Sequence, residues 1–131
     1  MILLDTCILV FDALTPEKLS KRAVDEIAKG RLTGNLACSD ISLWELAMLI
    51  SKGRIRPNVA PAEFLRLVIA ANRLRVLPIT HEIAIISAND ALFMHNDPAD
   101  RIIAATALHH KIPLLTSDIM LEKVKGLKMF E

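Results

Sequence analysis

Tyrosine is absent from the 131-residue sequence, and the remaining aromatics are one Trp and four Phe. So few rings argue against the stacking platform that single-stranded RNA binders use. Cysteine is scarce as well. Cys7 and Cys38 both lie in apolar, strand-like stretches without neighbouring ligand spacing. That excludes a zinc cluster and leaves reduced packing residues of a cytoplasmic protein as the expectation. No apolar run approaches the roughly 18 uncharged residues that a spanning helix needs. The best candidate, Ile102 to Leu108, stops at His109-His110, so no membrane association is expected. Met1-Ile2-Leu3-Leu4-Asp5 has no basic region leading into an apolar core, and it is not read as a signal peptide. Excess charge is missing too. The 16 Lys and Arg against 15 Asp and Glu leave +1, too little by itself to imply a nucleic-acid partner.

What the sequence has in quantity is apolar residues, 53% of the chain, with a mean hydropathy of +0.40. Disorder is excluded, and the length suits one domain, residues 1–131, with a proper core. The apolar fraction is high for a lone small protein. A subunit interface, as in a homodimer, is expected to take up the surplus.

Strand and helix signals alternate. Two apolar runs, Ile2 to Leu4 and Ile8 to Phe11, flank Asp5-Thr6 and read as a buried strand ending near the acid. Thr15 and Pro16 open a helix to Lys29, with Leu19, Ala23, Val24 and Ile27 on one face and Gly30 as its stop. A strand follows at Asn35 to Cys38. Ser42-Leu43-Trp44-Glu45 has the form of a capping box, opening a helix to about Ser51. Pro61 to Leu74 is a helix, Arg75 to Ile79 a strand, and Thr80 caps a helix through Leu92. Asp97-Pro98-Ala99-Asp100 begins a helix ending near Lys111. Ile112 to Thr116 is the clearest strand, followed by a short helix from Ser117 or Asp118 and a last strand at Leu127 to Phe130. This alternation predicts an α/β fold with a parallel, helix-covered sheet.

In such sheets, ligands sit beyond the carboxyl ends of the strands. Asp5 and Asp118 stand where strands end; Glu45 and Asp100 fall in the first turns of helices that begin at that same edge. Each of the last three also has an ordinary explanation as a cap or a charge on a helix dipole, and Asp97 is a good N-cap. Asp5 is harder to explain away. It follows Ile2-Leu3-Leu4 directly with no Lys or Arg near it in sequence, and a desolvated carboxylate needs a counter-charge. Four converging carboxylates would repel one another until a divalent cation relieved them. All-oxygen ligation suits Mg²⁺ or Mn²⁺, ions that bind phosphate and assist in-line phosphodiester hydrolysis. With four acids so committed, 16 basic residues face 11 remaining acids, a mildly basic rim suited to a polyanion.

These residues carry a family resemblance. Leu3-Leu4-Asp5-Thr6-Cys7, then Ser42-Leu43-Trp44-Glu45-Leu46, then the run from His95 to Ala107, then Pro113-Leu114-Leu115-Thr116-Ser117-Asp118 resemble, in order and spacing, the four acidic motifs of PIN domains. The likeness is greatest to the VapC-type toxins of bacterial and archaeal toxin–antitoxin pairs. Asp97-Pro98-Ala99-Asp100-Arg101 is its most specific element; Ala99 stands where the family often has an aromatic. The resemblance implies a three-layer α/β/α fold around a mostly parallel sheet of four to five strands. It implies a metal-dependent ribonuclease acting on RNA, and a homodimer silenced by a small antitoxin protein whose tail enters the cleft. It makes Asp5, Glu45, Asp100 and Asp118 the catalytic ligands of Mg²⁺ or Mn²⁺, with Thr6, Thr116 and Asp97 supporting them.

Other residues read more plainly. His95, His109 and His110 lack tight ligand spacing, and the last two suit a helix C-terminus. Trp44 is expected in the core or an interface. Phe64-Leu67-Val68-Ala71 is a stripe fit for core or for a dimer seam. Lys52, Arg54, Arg56, Arg66, Arg73 and Arg75 form either a solvated face or phosphate contacts. A two-component receiver domain would want adjacent acids after the first strand, but Asp5 stands alone and Asp40 is the only middle candidate. A haloacid-dehalogenase-like phosphatase would need Asp where Cys7 stands. A PIN nuclease of RNA processing outside any toxin system, or a PIN scaffold that only binds, remains open.

Overall fold

Strands of two to four mostly apolar residues hold together when they pair into one sheet with helices packed on both of its faces. A computed structural model, describing residues 1–93 and 97–130, has that arrangement. In chain order the elements are β1 (Ile2–Leu4), α1 (Thr6–Leu14), a 3₁₀ turn (Pro16–Lys18), α2 (Lys21–Thr33), β2 (Leu36–Ser39), α3 (Asp40–Ser51), α4 (Pro61–Asn72), β3 (Arg75–Leu77), α5 (His81–Ser87), α6 (Pro98–His110), β4 (Leu114–Leu115) and a second 3₁₀ turn (Ile119–Lys123). The four strands lie in the order β3-β2-β1-β4, and every pairing is parallel. From β1 the chain moves outward through β2 to β3, then returns to place β4 on the opposite side of β1. The direction of winding therefore reverses at β1, and the crevice at such a reversal is where open α/β sheets bind ligands.

Alternate strand residues feed two cores. Leu4, Leu36, Cys38 and Leu115 face the layer that contains Ile8, Leu9, Ile27, Leu46, Phe64 and Val68. Leu3, Ala37 and Leu114 face Ile103, Ala104 and Ala107 of α6, with Leu121 and Val124 beyond. No helix among the described residues is long and apolar enough to cross a membrane.

Several element boundaries differ from those expected, each for a local reason. The run Thr6–Leu14, with Cys7 in it, is helix rather than strand, because the Asp5 side chain and carbonyl cap its first turn. Thr15 makes no side-chain cap, and the chain completes only a 3₁₀ turn before Ser20 caps α2 through Ala23 N–H at 3.1 Å. That start turns Val24 outward. Gly30 does not end α2. It lies against the sheet, where an added Cβ would stand 2.4 Å from the Leu36 side chain, and the left-handed stop is Gly34 at φ 70°. α3 begins at Asp40 with Ser39 as its cap, so Ser42 is inside the helix and the expected capping box does not form. α5 is shorter than expected, and β4 keeps only two residues. Leu127 to Phe130 supplies one parallel bridge, Leu114 to Met129, rather than a strand. In the α4 stripe, Phe64 and Val68 are buried while Leu67 and Ala71 are exposed.

Leu3 is fully buried on the central strand, so Leu3→Ala should destabilise the fold by about 2–5 kcal/mol. Leu32 is 83% exposed, and Leu32→Ala should stay within about 0.5 kcal/mol. Urea unfolding of the two variants checks the layer assignment; comparable losses would contradict it.

Candidate metal centre

Asp5 is the first residue beyond β1 and is only 4% exposed. One of its oxygens accepts from its neighbour's amide, Thr6 N–H, at 2.8 Å. The other accepts from the Thr116 hydroxyl at 2.5 Å and from the Cys7 thiol at 3.5 Å. Thr116 follows β4, and its oxygen accepts from the Asp118 amide at 3.0 Å, which draws the two strand ends together. Asp118 in turn caps the closing 3₁₀ turn through Met120 N–H at 2.9 Å.

Glu45 comes from α3. Its Oε1 accepts from the Thr6 hydroxyl at 2.5 Å, and the Thr6 and Ser42 hydroxyls are 2.9 Å apart. Thr6 has one hydroxyl proton and gives it to the carboxylate, so Ser42 must supply the proton between the two hydroxyls. Ser42 is fully buried. The residue expected to be a cap instead orients Glu45 through Thr6, and only the helix start three residues earlier could have revealed that.

α6 supplies the rest. Asp97 caps it, accepting from Ala99 N–H at 2.9 Å and Asp100 N–H at 3.3 Å, and Pro98 occupies the first turn. Arg101 pairs with Asp90 at 2.8 Å and lies over the Phe93 ring, tying the start of α6 to the segment after α5. Glu45, Asp97 and Asp100 each place a carboxylate oxygen within 4.8 Å of the other two. Asp97, expected as a supporting cap, thus stands in the cluster itself.

Electrostatics gather all five acids. Burial pushes Asp100 up to about 7, and the negative charges of Asp97, Asp5, Asp118 and Glu45 push it the same way. Burial likewise raises Asp5, with Asp118 adding to it, although bonds from Thr116, Thr6 and Cys7 oppose the rise. Glu45 is raised by burial and by Asp5 and Asp97, against the bond from Thr6. Oxygen-only donors so arranged fit a hard divalent cation, which would stabilise the charged forms that now repel. No softer ligand is needed.

Other expectations sort themselves by place. Cys38 is buried, and its thiol is pushed up to about 12 by burial and by Asp40. Cys7 is not simply packing: half-buried, it touches Asp5 and lies 3.2 Å from the Ser117 hydroxyl. His109 and His110 are exposed at the end of α6, and His95 lies outside the described residues. Asp40, the acid a receiver domain would have needed, accepts from Ile79 N–H at 3.2 Å and ties β3 to α3. Arg66 pairs with Glu63, and Arg73 donates to the carbonyls of Arg31 and Leu32. Trp44 is not core; it is 57% exposed and lines two grooves beside Glu45 and Asp97. A separate apolar groove between α1 and α4, of about 350 Å³, contains no acid cluster; its Asp12 is engaged by Arg31 at 2.6 Å.

The PIN domain family model matches residues 2–127. The chain belongs to the PIN-domain family. Ribonuclease VapC22 of Mycobacterium tuberculosis is 32% identical over 117 residues, which span 89% of this chain and 86% of that protein. The PIN fold here is similar to that in the VapBC2 structure from Rickettsia felis, bound to a DNA fragment from the promoter (TM-score 0.73, 21% identity, 99% of this chain and 98% of that one). It is also similar to FitAcB from Neisseria gonorrhoeae (TM-score 0.71, 23% identity, 100% and 97%). These structures confirm the three-layer architecture with a four-stranded parallel sheet.

Crowding of acids has a measurable signature without any ion. Asp100 titrates at 3.8 when unperturbed and at about 7 in the fold. Stability from its neutral form is full below the lower value and is lost as pH rises through the higher one. Asp5 and Glu45 shift in the same direction. In EDTA, the melting temperature should therefore fall between about pH 5 and about pH 8, and Asp100→Asn should flatten that fall. A melting curve that ignores pH over this range, in both proteins, would contradict the crowding.

Proposed function

We infer that this PIN domain, residues 1–131 taken as one unit, is a Mg²⁺- or Mn²⁺-dependent endoribonuclease that hydrolyses RNA phosphodiester bonds. The observation that carries the reading is the cluster of Glu45, Asp97 and Asp100, with Asp5 and Asp118 near enough at the same sheet edge for their charges to push Asp100 upward. The ribonuclease name of its M. tuberculosis relative points the same way.

Asp5, Glu45, Asp100 and Asp118 would hold the ion, and Asp97 is placed to join them. When bound, the ion supplies positive charge for the phosphate and a more acidic water as nucleophile. The chain's own groups do the rest. Thr116 and the Thr6 amide fix both oxygens of Asp5, and the Ser42–Thr6 pair fixes one oxygen of Glu45. Those bonds set the direction of each carboxylate before any ligand arrives, which limits reorganisation during the reaction. Asp100, titrating near 7, is the acid most responsive to an arriving cation. Burial at the sheet edge keeps competing water away from Asp5.

The structural neighbours are VapBC complexes and a toxin–antitoxin complex from Klebsiella pneumoniae. They support a partner for this chain of the same kind, a small antitoxin protein that blocks the cleft. The toxin role, a cytoplasmic location and a homodimer complete the reading.

Purified protein should cleave RNA with Mg²⁺ or Mn²⁺ and stop in EDTA. Asp5→Asn should lower the rate by at least about a hundredfold, since supporting residues alone cost about 10–100-fold, while circular dichroism stays unchanged. Mn²⁺ should also raise the wild-type melting temperature at about pH 8 and leave Asp5→Asn nearly unmoved. Cleavage that survives chelation, or a fully active Asp5→Asn, would overturn the assignment.

A further inference from the structure

We propose that the groove running from Trp44 to Lys52 and Arg54 is the track for a single-stranded stretch of RNA beside the scissile phosphate, with the Trp44 indole stacking one base, a single contact and not the multi-ring platform that the scarcity of aromatics argues against. This rests on the ribonuclease reading and names where the substrate lies.

Trp44, Met48 and Lys52 recur every four residues and share one stripe of α3. Ser42 and Leu46 of the same helix are fully buried, so the stripe with Trp44 is the one turned outward. An indole 57% exposed next to the half-buried Glu45 is an unusual use of the only tryptophan in the chain. It forms a common wall of two grooves. One, of about 480 Å³, passes Glu45 and Asp97 to Pro98 and Ala99. The other, of about 220 Å³, shares Trp44, Glu45 and Asp97 and continues to Lys52 and Arg54.

The far end of this path is fixed by backbone geometry. Lys52 is the C-cap of α3, Gly53 adopts φ 70°, and the Arg54 amide bonds back to the Leu49 carbonyl at 2.9 Å. Arg54 is thereby delivered to the groove by a set turn, not by a free loop. Charge decides which ligand fits. Carboxylates alone would repel a polyanion; two cations in the same groove give its phosphates a place beyond the ion, and the aromatic face accepts any base. A duplex hides its base faces in the stack, so the pairing of one exposed ring with two cations favours an unpaired strand.

Trp44 and the absence of tyrosine make the protein its own probe, because intrinsic emission reports this groove alone. The full chain carrying Asp100→Asn, in EDTA, is titrated with a mixed-sequence single-stranded RNA of about ten nucleotides and with the same strand annealed to its complement. Binding is read in parallel by anisotropy of a labelled strand. The single strand should quench Trp44 as it saturates, and the duplex should bind more weakly. Trp44→Ala should weaken binding about five- to a hundredfold, with Trp44→Phe restoring most of it. Lys52→Ala and Arg54→Ala should each lower the salt slope by about 0.7. Saturable binding without quenching, no binding at all, or emission that follows protein concentration without RNA (a second copy covering Trp44) would overturn the track. The two readings fail separately. Quenching by RNA in a protein that never cleaves it sinks the nuclease and leaves the groove; cleavage with a KM indifferent to Trp44→Ala sinks the groove and leaves the nuclease.

Discussion

Repulsion among carboxylates at the carboxyl edge of β1 and β4 is the constraint around which the rest of the molecule is arranged. Topology imposes it. The winding reverses at β1, so the residues after β1 and β4, the second turn of α3 and the first turn of α6 face one crevice. A carboxylate at any of these positions is unremarkable alone. Together they raise the proton affinity of Asp5, Glu45 and Asp100, with Asp100 pushed up to about 7. The fold tolerates this because its stability comes from elsewhere: two leucine-rich cores, one on each face of the sheet, that owe nothing to the acids.

How far the chemistry could be read before the structure depends on which physical rule governs each residue. Asp5 was legible because a charge directly after a buried strand has few innocent explanations. Asp97, Pro98 and Asp100 were legible because a capped helix start has a strong local signature. Ser42 and Trp44 were not. The capping-box pattern at Ser42 to Glu45 is real as a pattern, but Ser39 takes the cap three residues earlier, once β2 has run straight into α3. That shift moves Ser42 from a helix end to a buried hydroxyl beside Thr6, and it frees Glu45 from capping. Trp44 was expected in the core or an interface; α3 turns it outward, so it is not core.

The strands show the same limit from another side. Ile112 to Thr116 has the strongest strand pattern in the chain, yet only Leu114–Leu115 pairs as one. Pairing needs a partner of equal length, and β1 offers three residues before Asp5 ends it. Gly30 makes the converse point. A glycine four residues before a helix end looks like the stop, but here the absent side chain lets α2 lie against Leu36, and Gly34 does the stopping. Both depend on contacts between different elements, which a pattern within one element does not contain.

The choice of groups that hold the acids separates two kinds of carboxylate within this one chain. Asp12 is gripped by the Arg31 guanidinium at 2.6 Å, and Asp90 by Arg101 at 2.8 Å. A cation neutralises as it holds, which is what a structural acid requires. The bonds to Asp5 and Glu45 come instead from hydroxyls, an amide and a thiol: Thr116, Thr6 and Cys7. Neutral donors fix the direction of a carboxylate and leave its charge to be met by something else. A guanidinium in their place would relieve the repulsion permanently and would compete with any ion for the same oxygens. Holding the acids by neutral groups therefore leaves their mutual repulsion in place and keeps their oxygens open to a divalent cation, as the proposed function requires.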